Sequence, residues 1–182
     1  MDAPIIVAIC ALVVSVVSTS MSVWTAFLQR RHMRLSVRPI AAVPVADYEN
    51  RVAVYLQNNG LGPMRITSLR ARHETGFTSN DIFSQMPELP SGIIWSTFHE
   101  SVDGATLNAG SRLELLVLEG DPNDTAFCAG RDSVRKNLAR LVVSVDYEDL
   151  YGESMKAYER SLSFFGRHDV DILPHKQGIV LS

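Results

Sequence analysis

The chain has 182 residues, a mass of 20.1 kDa and a mean hydropathy of +0.06, with 46% hydrophobic and 20% charged residues. This length suits one domain of ordinary size, or a small domain with appendages, and the composition excludes a disordered chain. The charge is uneven, because four arginines lie within residues 30–38 and leave 13 basic and 19 acidic residues after them, a net charge of −6. An acidic body disfavours binding to nucleic acid.

Residues 5–28 form an apolar segment, and no charged side chain occurs from Ala3 to Gln29. A helix over these 24 residues is about 36 Å long, enough to cross a hydrocarbon core of about 30 Å. Trp24 lies near its C-terminal end, where an indole favours the membrane interface. The sequence therefore predicts a transmembrane anchor over residues 1–29.

A secretory signal peptide is the alternative interpretation of this segment. It requires a basic start, a shorter apolar core and a small-residue cleavage site. The chain instead begins Met1-Asp2 and passes directly from the apolar segment into Gln29–Arg34. These features favour an uncleaved anchor.

A basic juxtamembrane collar follows over residues 30–38. The segment before the span has no Lys or Arg, whereas the segment after it has four arginines. Because Lys and Arg beside a span remain on the cytoplasmic side, we expect the N-terminus outside and residues 30–182 in the cytoplasm. The residues expected to contact the membrane interface are Trp24, Arg30, Arg31, Arg34 and Arg38, each arginine being worth about 1 kcal/mol on anionic headgroups.

Small residues in the apolar segment repeat at alternating spacings of three and four. They would form one seam of a left-handed helix pair, and they are Ala8, Ala11, Ser15, Ser18, Ser22 and Thr25. The opposite positions carry larger aliphatic residues that suit lipid. The pattern predicts that the span self-associates.

Two cysteines, Cys10 in the apolar segment and Cys128 in the polar body, are too far apart in the pattern to predict an intrachain disulfide. Their number fits a reducing compartment.

After the collar the hydrophobic period changes from helical to two, which is typical of strands. Pro39 and Pro44 mark Leu35–Val45 as an edge strand, and Val52, Val54 and Leu56 predict a half-buried strand. The next predicted strand, Arg65–Glu74, slips its apolar phase between Ile66 and Leu69, which indicates a bulge. Further predicted strands cover 93–100, 113–117, 141–147 and 153–165, the last two as a hairpin around the turn at 148–152.

Between these strands, residues 75–92 are predicted to form a loop insertion with one helical turn near 81–85. A helix is predicted over 124–139, where Phe127, Val134 and Leu138 share one face and Gly130 lowers its stability. About seven short strands with turns between them predict an antiparallel β-sandwich over residues 39–166. Residues 167–182 are expected to form a loosely held tail.

Three segments carry a further signal. The first is the span with Trp24 and the arginine pair followed by 35-LSVRP-39, the second is 54-VYLQNNGLGPMRI-66, and the third is 143-VSVDYEDLYG-152. Together they resemble a broad group of small bacterial single-pass membrane proteins with an immunoglobulin-like domain. The resemblance implies an immunoglobulin-like sandwich and an anchor in the inner (cytoplasmic) membrane, and it implies no catalytic residue. Met64 departs from the alanine usual in that group.

Motifs for catalysis or ligand binding are absent from the sequence. The Asn58–Pro63 segment precedes a strand rather than a helix, so it predicts a structural turn and not a phosphate loop. The five histidines have no ligand spacing, and a site from His73 and His99 with Glu74 or Glu100 is disfavoured. No G-x-S-x-G occurs. We therefore expect no enzyme activity, no cofactor and no metal.

Two other charged groups have structural explanations. Acidic residues near the predicted hairpin are expected to solvate its turn rather than bind Ca²⁺, and they are Asp146, Glu148, Asp149 and Glu153. Basic residues on the predicted helix are expected on a solvated face, with headgroups or an acidic partner as the alternative, and they are Arg131, Arg135, Lys136 and Arg140. His168-Asp169 is not expected to form a phosphohydrolase site, because the tail has no helical period.

Aromatic residues in or beside the loop insertion mark a possible partner surface, and they are Phe77, Phe83, Trp95 and Phe98. Capping of an open end of the sandwich is their alternative role. The sequence thus predicts a membrane-anchored interaction or scaffolding module that binds an unidentified protein partner. The alternative is a membrane effector whose oligomerised spans form a pore or perturb the bilayer, for which the hydroxyls of the span are the support.

Overall fold

The computed structural model describes residues 3–167, apart from the side chains of Ala3, Arg34 and Leu35. The chain divides into two compact units, Met1–Arg38 and Pro39–Ser182. Of the predicted tail, Arg167 is described, and residues 168–182, including His168 and Asp169, lie outside the described residues.

The first unit contains one helix, α1 (Ala3–Ser36), with Pro4 in the first turn, where its missing N–H does not interrupt helical hydrogen bonding. From Pro4 to Met33 it is long and apolar enough to cross a membrane, and none of that apolar stretch is buried against protein. The helix continues through Arg30 and Arg31 to Ser36. The predicted start of the first strand at Leu35 is therefore wrong, because the chain is still helical at Leu35 and the helix ends at Ser36.

The described part of the second unit, residues 39–167, contains ten strands, one α-helix and two short 3₁₀ helices. The strands are β1 (Ala41–Ala42), β2 (Val45–Asp47), β3 (Arg51–Asn58), β4 (Met64–His73), β5 (Thr78–Ser79), β6 (Thr97–Phe98), β7 (Thr106–Leu107), β8 (Arg112–Glu119), β9 (Leu141–Glu148) and β10 (Tyr158–Ser161). The helices are α2 (Thr125–Ala139), η1 (Phe83–Gln85) and η2 (Ser163–Gly166). Ten strands replace the expected seven, because the first predicted strand is divided into β1 and β2, and two-residue strands β5 and β7 pair with β4 in segments where no strand was predicted.

The strands form two antiparallel five-stranded sheets. The first sheet has the order β1-β3-β8-β6, with β2 also pairing with β3. The second has the order β10-β9-β4-β5, with β7 also pairing with β4. A register shift between Ile66 and Ser68 confirms the predicted bulge in β4.

Both sheets contribute to one hydrophobic core. Strand β9 alternates buried and half-buried residues as its period predicts. Strand β3 does not, because residues 52–56 are all buried. On its outer face Ala53 and Tyr55 pack with Val117 of β8, and Ala46 of β2 packs against them. The predicted half-buried β3 is therefore wrong on that face.

Helix α2 confirms the predicted helix. The side chain of Asp124 caps it by accepting a hydrogen bond from the backbone N–H of Ala126 at 2.9 Å. Phe127, Val134 and Leu138 are buried along one face. The helix carries the chain from β8 of the first sheet to β9 of the second.

The predicted long last strand is wrong in extent. Strand β10 pairs with β9 and confirms the hairpin, but it covers four residues, Tyr158–Ser161. Leu162 and Phe165 are both buried, and η2 begins between them. A spacing of three places both side chains on one face of a 3₁₀ helix, whereas a strand would turn them to opposite faces.

On each side of this unit, one connection joins the two sheets: a chain segment on one side and a hydrogen bond on the other. On one side, residues 80–96 join β5 of the second sheet to β6 of the first, and the predicted helical turn is η1. On the other side, Arg160 of β10 donates a hydrogen bond from Nη1 to the Val43 carbonyl oxygen at 2.7 Å. The first of these connections contains the candidate site.

Candidate functional site

The connection between β5 and β6 forms an open groove with a volume of about 690 Å³. Ten residues line the groove, which are Phe83, Ser84, Met86, Pro87, Glu88, Leu89, Ile93, Ile94, Trp95 and Phe98. Most of them are apolar. A volume in the range of about 300–1,000 Å³ is typical of ligand sites.

Phe83 is the centre of an aromatic cluster in the groove. Its ring stacks on Phe98, with centroids 4.2 Å apart and planes 19° from parallel. The edge of Trp95 meets it at 5.9 Å and 80°. Both geometries are ones that the quadrupoles of aromatic rings favour. The cluster therefore gives the groove a defined wall.

The groove is fixed to the second sheet through η1. Ile82, immediately before η1, is buried in the core. The Gln85 amide nitrogen donates to the Ala71 carbonyl oxygen of β4 at 2.5 Å and to the Ser79 hydroxyl at 2.6 Å. These contacts hold Phe83 in place beside the sheet.

The opposite end of the groove segment is fixed to the first sheet. The Ser96 N–H donates to the Val117 carbonyl oxygen at 3.0 Å, and the Ser96 hydroxyl accepts from the Glu119 N–H at 3.1 Å. Pro90 also packs closely on α2, since a Cβ at Gly130 would lie 3.0 Å from its Cδ. The groove is thus held by both sheets and by α2.

The chemistry of the groove suits binding. Of its ten lining residues, all within the described chain, Glu88 alone has an ionisable side chain, and it is exposed. Ile94 is 79% exposed, the largest exposed fraction of any large apolar residue described. When a partner covers apolar side chains that a rigid backbone holds in water, the free energy falls.

The structure brings together three of the four predicted partner-surface residues, Phe83, Trp95 and Phe98. Phe77 is exposed in the turn between β4 and β5 and is not a lining residue. Sequence reasoning did not select Met86, Leu89, Ile93 and Ile94. Their signal was the density of aliphatic residues around Pro87 and Pro90 in a connection that is otherwise polar.

The basic residues of α2 have a different role from the one predicted. Asp47 has a fully buried side chain, and Arg135 donates to its Oδ1 from Nε at 2.7 Å, with Nη2 at an ion-pair distance of 2.6 Å from the same oxygen. Arg167 pairs with its Oδ2. Arg131 donates to the Glu49 carbonyl oxygen at 2.6 Å. The predicted solvated face is therefore wrong for Arg131 and Arg135, which fasten α2 to the β2–β3 turn.

The acidic residues of the hairpin have internal partners. Asp146 accepts from the Ser68 hydroxyl at 2.8 Å and pairs with Arg70, and Glu148 pairs with Arg65 at 3.0 Å. Asp149 is buried and accepts from the backbone N–H groups of residues 151 and 153. No cluster of three or more His, Cys, Asp or Glu that fits a metal occurs within residues 3–167.

Asn58 organises the turn that the sequence assigned a structural role. Its Oδ1 accepts from the N–H groups of Ile40 and Gly60, and its Nδ2 donates to the carbonyl oxygens of Gly62 and Leu107. The side chain is fully buried. Its polar atoms are thus satisfied inside the protein, as a buried amide requires.

In α1, the predicted seam residues are exposed along the helix. The hydroxyl of Ser15 donates to the Ala11 carbonyl oxygen at 2.8 Å, and that of Ser22 donates to the Ser18 carbonyl oxygen at 2.9 Å. Thr25 makes the same kind of bond. Trp24, Arg30 and Arg31 lie on the same helix and are exposed, and Arg38 follows its end.

Comparison with protein-family models gives no match for this chain, and comparison with curated proteins gives none either. The basis for assigning a function is therefore the groove itself: an apolar, aromatic surface with one carboxylate at its edge, held rigidly by two sheets and a helix.

Proposed function

We propose that this protein is a membrane-anchored interaction module whose groove binds an apolar segment of a partner protein, without catalysis. The observation that carries the proposal is the exposure of Ile94 and Phe98 on a segment fixed at both ends. A surface of this kind buries apolar area on binding without the cost of ordering a flexible loop.

The groove chemistry defines the expected partner. An extended or helical peptide with two or three apolar side chains would cover Ile94, Trp95 and Phe98. A Lys or Arg beside them would reach Glu88 at the edge of the groove. Aromatic residues dominate the energetics of such interfaces, so Trp95 is the expected centre of binding.

The strand order supports an immunoglobulin-like sandwich as the carrier of this groove. The first sheet runs β1-β3-β8-β6, and the second runs β10-β9-β4-β5. These orders correspond to A-B-E-D and G-F-C-C′ in immunoglobulin-like domains, with α2 between the strands E and F. Sandwiches of this kind carry many functions on their connections, and here the C′–D connection forms the groove.

Helix α1 would be the anchor, with its N-terminus outside and residues 30–182 in the cytoplasm. The arginines after the apolar stretch and their absence before it support this orientation. A cytoplasmic reporter fused after Ser182 should be active and a periplasmic reporter inactive. The opposite reporter result would show the reverse orientation. Release of the chain from membranes by alkali would show that α1 is not a membrane anchor.

Peptide selection tests the groove. The purified full chain in detergent should select, from a displayed random library, peptides that combine apolar residues with a Lys or Arg. Ile94→Asp should abolish the selection, because it places a charge among the apolar side chains that the peptide covers. Phe77→Asp is the matched control outside the groove and should leave it unchanged.

Charge reversal sharpens this test. Glu88→Lys should change the preference from basic to acidic peptides while the apolar pattern persists. If the wild type and the Ile94→Asp variant select the same peptides, or if Phe77→Asp acts as strongly, the groove is not a binding site.

A further inference from the structure

We propose that one end of the two-sheet unit rests on the bilayer through apolar loop tips, so that the domain is oriented on the membrane and not only tethered to it. This attachment end consists of Pro39–Ile40, the β3–β4 turn at 59–63 and the β9–β10 turn at 149–153. The inference depends on the anchor in the proposed function and not on the groove.

The chain arriving from α1 joins the second unit at the β3–β4 turn. The Ile40 N–H donates to Asn58 Oδ1 at 3.2 Å, and the Ile40 carbonyl oxygen accepts from the Asn59 N–H at 2.8 Å. Strand β3 ends at Asn58. The point of attachment and this turn are therefore at the same end of the sheets.

The β9–β10 turn lies at that end too. Strands β4 and β9 are antiparallel, and Arg65 at the start of β4 faces Glu148 at the end of β9. One cleft of about 410 Å³ is lined by residues of both turns, including Pro63, Leu150 and Tyr151. The two turns thus stand side by side.

Large apolar side chains project from these turns. Leu61 is 76% exposed and Leu150 71%, and Ile40 and Tyr151 are also exposed. The turns beneath them are held by buried polar groups, since Asn58 fastens the first and Asp149 the second. The chain therefore presents apolar tips on rigid supports, whereas turn residues are more commonly polar.

The covalent chain keeps these tips near the membrane. Ile40 is four residues beyond the end of α1, a span of at most about 14 Å. The helical residues after Leu28 add about 12 Å. A tether this short gives the tips a high effective concentration at the surface, so even a weak contact is populated.

The charges at this end favour an apolar contact over an electrostatic one. Arg65 pairs with Glu148, and Asp149 is buried in its turn. The three segments of the attachment end contain no Lys or Arg and two carboxylates, those of Asp149 and Glu153. We therefore expect binding to depend on Leu61 and Leu150, to occur on uncharged lipid, and to persist at high salt.

Lipid quenching tests the contact. The full chain is reconstituted in phosphatidylcholine vesicles containing a nitroxide lipid, with Cys10 and Cys128 replaced by Ser. A fluorophore is placed at Leu61→Cys or Leu150→Cys and, as control, at Phe77→Cys, an exposed residue of the turn at the other end of β4. Quenching should be severalfold stronger at 61 and 150 than at 77, and unchanged by added salt.

A label on the native Cys10, in a chain with Cys128→Ser, reports whether the span itself is inserted. Quenching at Cys10 with equal quenching at 61, 150 and 77 would overturn the loop contact and leave the anchor in place. Absence of quenching at Cys10 would overturn both the loop contact and the membrane anchor.

A second variant separates contact from folding. Leu61→Asp with Leu150→Asp should remove the quenching of a label at Tyr151→Cys, because two charges at the tips oppose insertion, while near-ultraviolet circular dichroism stays that of the wild type. Undiminished quenching in this variant, or quenching that appears only with anionic lipid and disappears in salt, would show that the apolar tips do not make the contact.

Discussion

The two sides of the two-sheet unit are closed by opposite kinds of chemistry. On the side of β2 and α2, the Asp47 cluster (Asp47, Arg135 and Arg167) forms a network whose central carboxylate is fully buried. On the side of β5 and β6, the groove closes the core with aromatic rings and leaves Ile94 and Phe98 in water. The charged groups of the first side have partners within the domain, whereas apolar side chains of the second remain exposed to water.

This difference separates structural residues from candidate functional ones. The basic residues that cluster in the sequence were expected on a solvated face, with headgroups or an acidic partner as the alternative. Two of them, Arg131 and Arg135, instead bind backbone and carboxylate groups within the same domain. A satisfied polar group gains little from a partner, whereas an exposed rigid apolar group gains from being covered. The groove side is therefore the side expected to bind.

The largest expected effect is on the closed side. Asp47→Ala removes the fully buried carboxylate and leaves Arg135, whose side chain is 17% exposed, with the exposed Asp132 as its remaining counter-ion among the described residues. Loss of the buried partner of a largely buried charge costs about 3 kcal/mol of unfolding free energy. Urea unfolding of the full chain in a mild detergent, followed by near-ultraviolet circular dichroism, measures this cost.

Asp132→Ala is the control for that measurement. Asp132 also pairs with Arg135, at 3.1 Å, but its side chain is 55% exposed. We expect a loss below about 1 kcal/mol, as for surface ion pairs. Equal losses for the two variants would contradict the view that burial of Asp47 makes this side structural.

On the groove side, the cost of truncating a phenylalanine should depend on whether its ring belongs to the aromatic cluster. Phe83→Ala removes the ring that contacts both Trp95 and Phe98, and it should cost about 2 kcal/mol of unfolding free energy. Phe77→Ala makes the same chemical change at an exposed turn and should cost less than about 0.5 kcal/mol. If both cost the same, the aromatic cluster is not a supporting wall, and the comparison between the two sides fails.

Local pattern in the sequence predicted some of these elements and not others. Strand β9, the hairpin and α2 are confirmed, because the hydrophobic period acts within one element. The Asp47–Arg135 pair joins residues 88 positions apart, a contact that periodicity does not encode. The three aromatic residues of the groove were predicted from their proximity in sequence, but its aliphatic residues lacked any period.

Helix α2 links the two sides, so its cap offers a smaller test. Asp124→Ala removes the side-chain acceptor for the Ala126 N–H and should cost about 1 kcal/mol of unfolding free energy. Asp124→Ser retains an acceptor and should cost much less. Thermal unfolding of both variants under the conditions used for Asp47→Ala gives the comparison. A loss near 3 kcal/mol would mean that α2 unfolds with the cap and that the two sides are not independent.

The smallest expected effect concerns α1, a further region whose apolar surface no described residue covers. The hydroxyls of Ser15 and Ser22 already donate to carbonyl oxygens of their own helix. Hydrogen bonds between helices are therefore not required to satisfy them, and close packing of small side chains remains as the source of attraction. Self-association of the span should accordingly depend on side-chain size and not on the hydroxyl.

Two triple variants distinguish size from hydrogen bonding. Replacing Ser15, Ser18 and Ser22 by Ala keeps the seam small and should preserve crosslinking between copies in the membrane. Replacing them by Leu should prevent close approach and abolish it, with no change in the unfolding of the two-sheet unit. Loss of crosslinking in the Ala variant would instead assign the attraction to the hydroxyls. One hydrogen bond between helices contributes only about 0.6 kcal/mol, but the loss of three together is large enough to measure. Crosslinking that survives in the Leu variant would show that this seam is not the interface, and would leave the groove and the attachment end as the apolar surfaces able to hold two copies together.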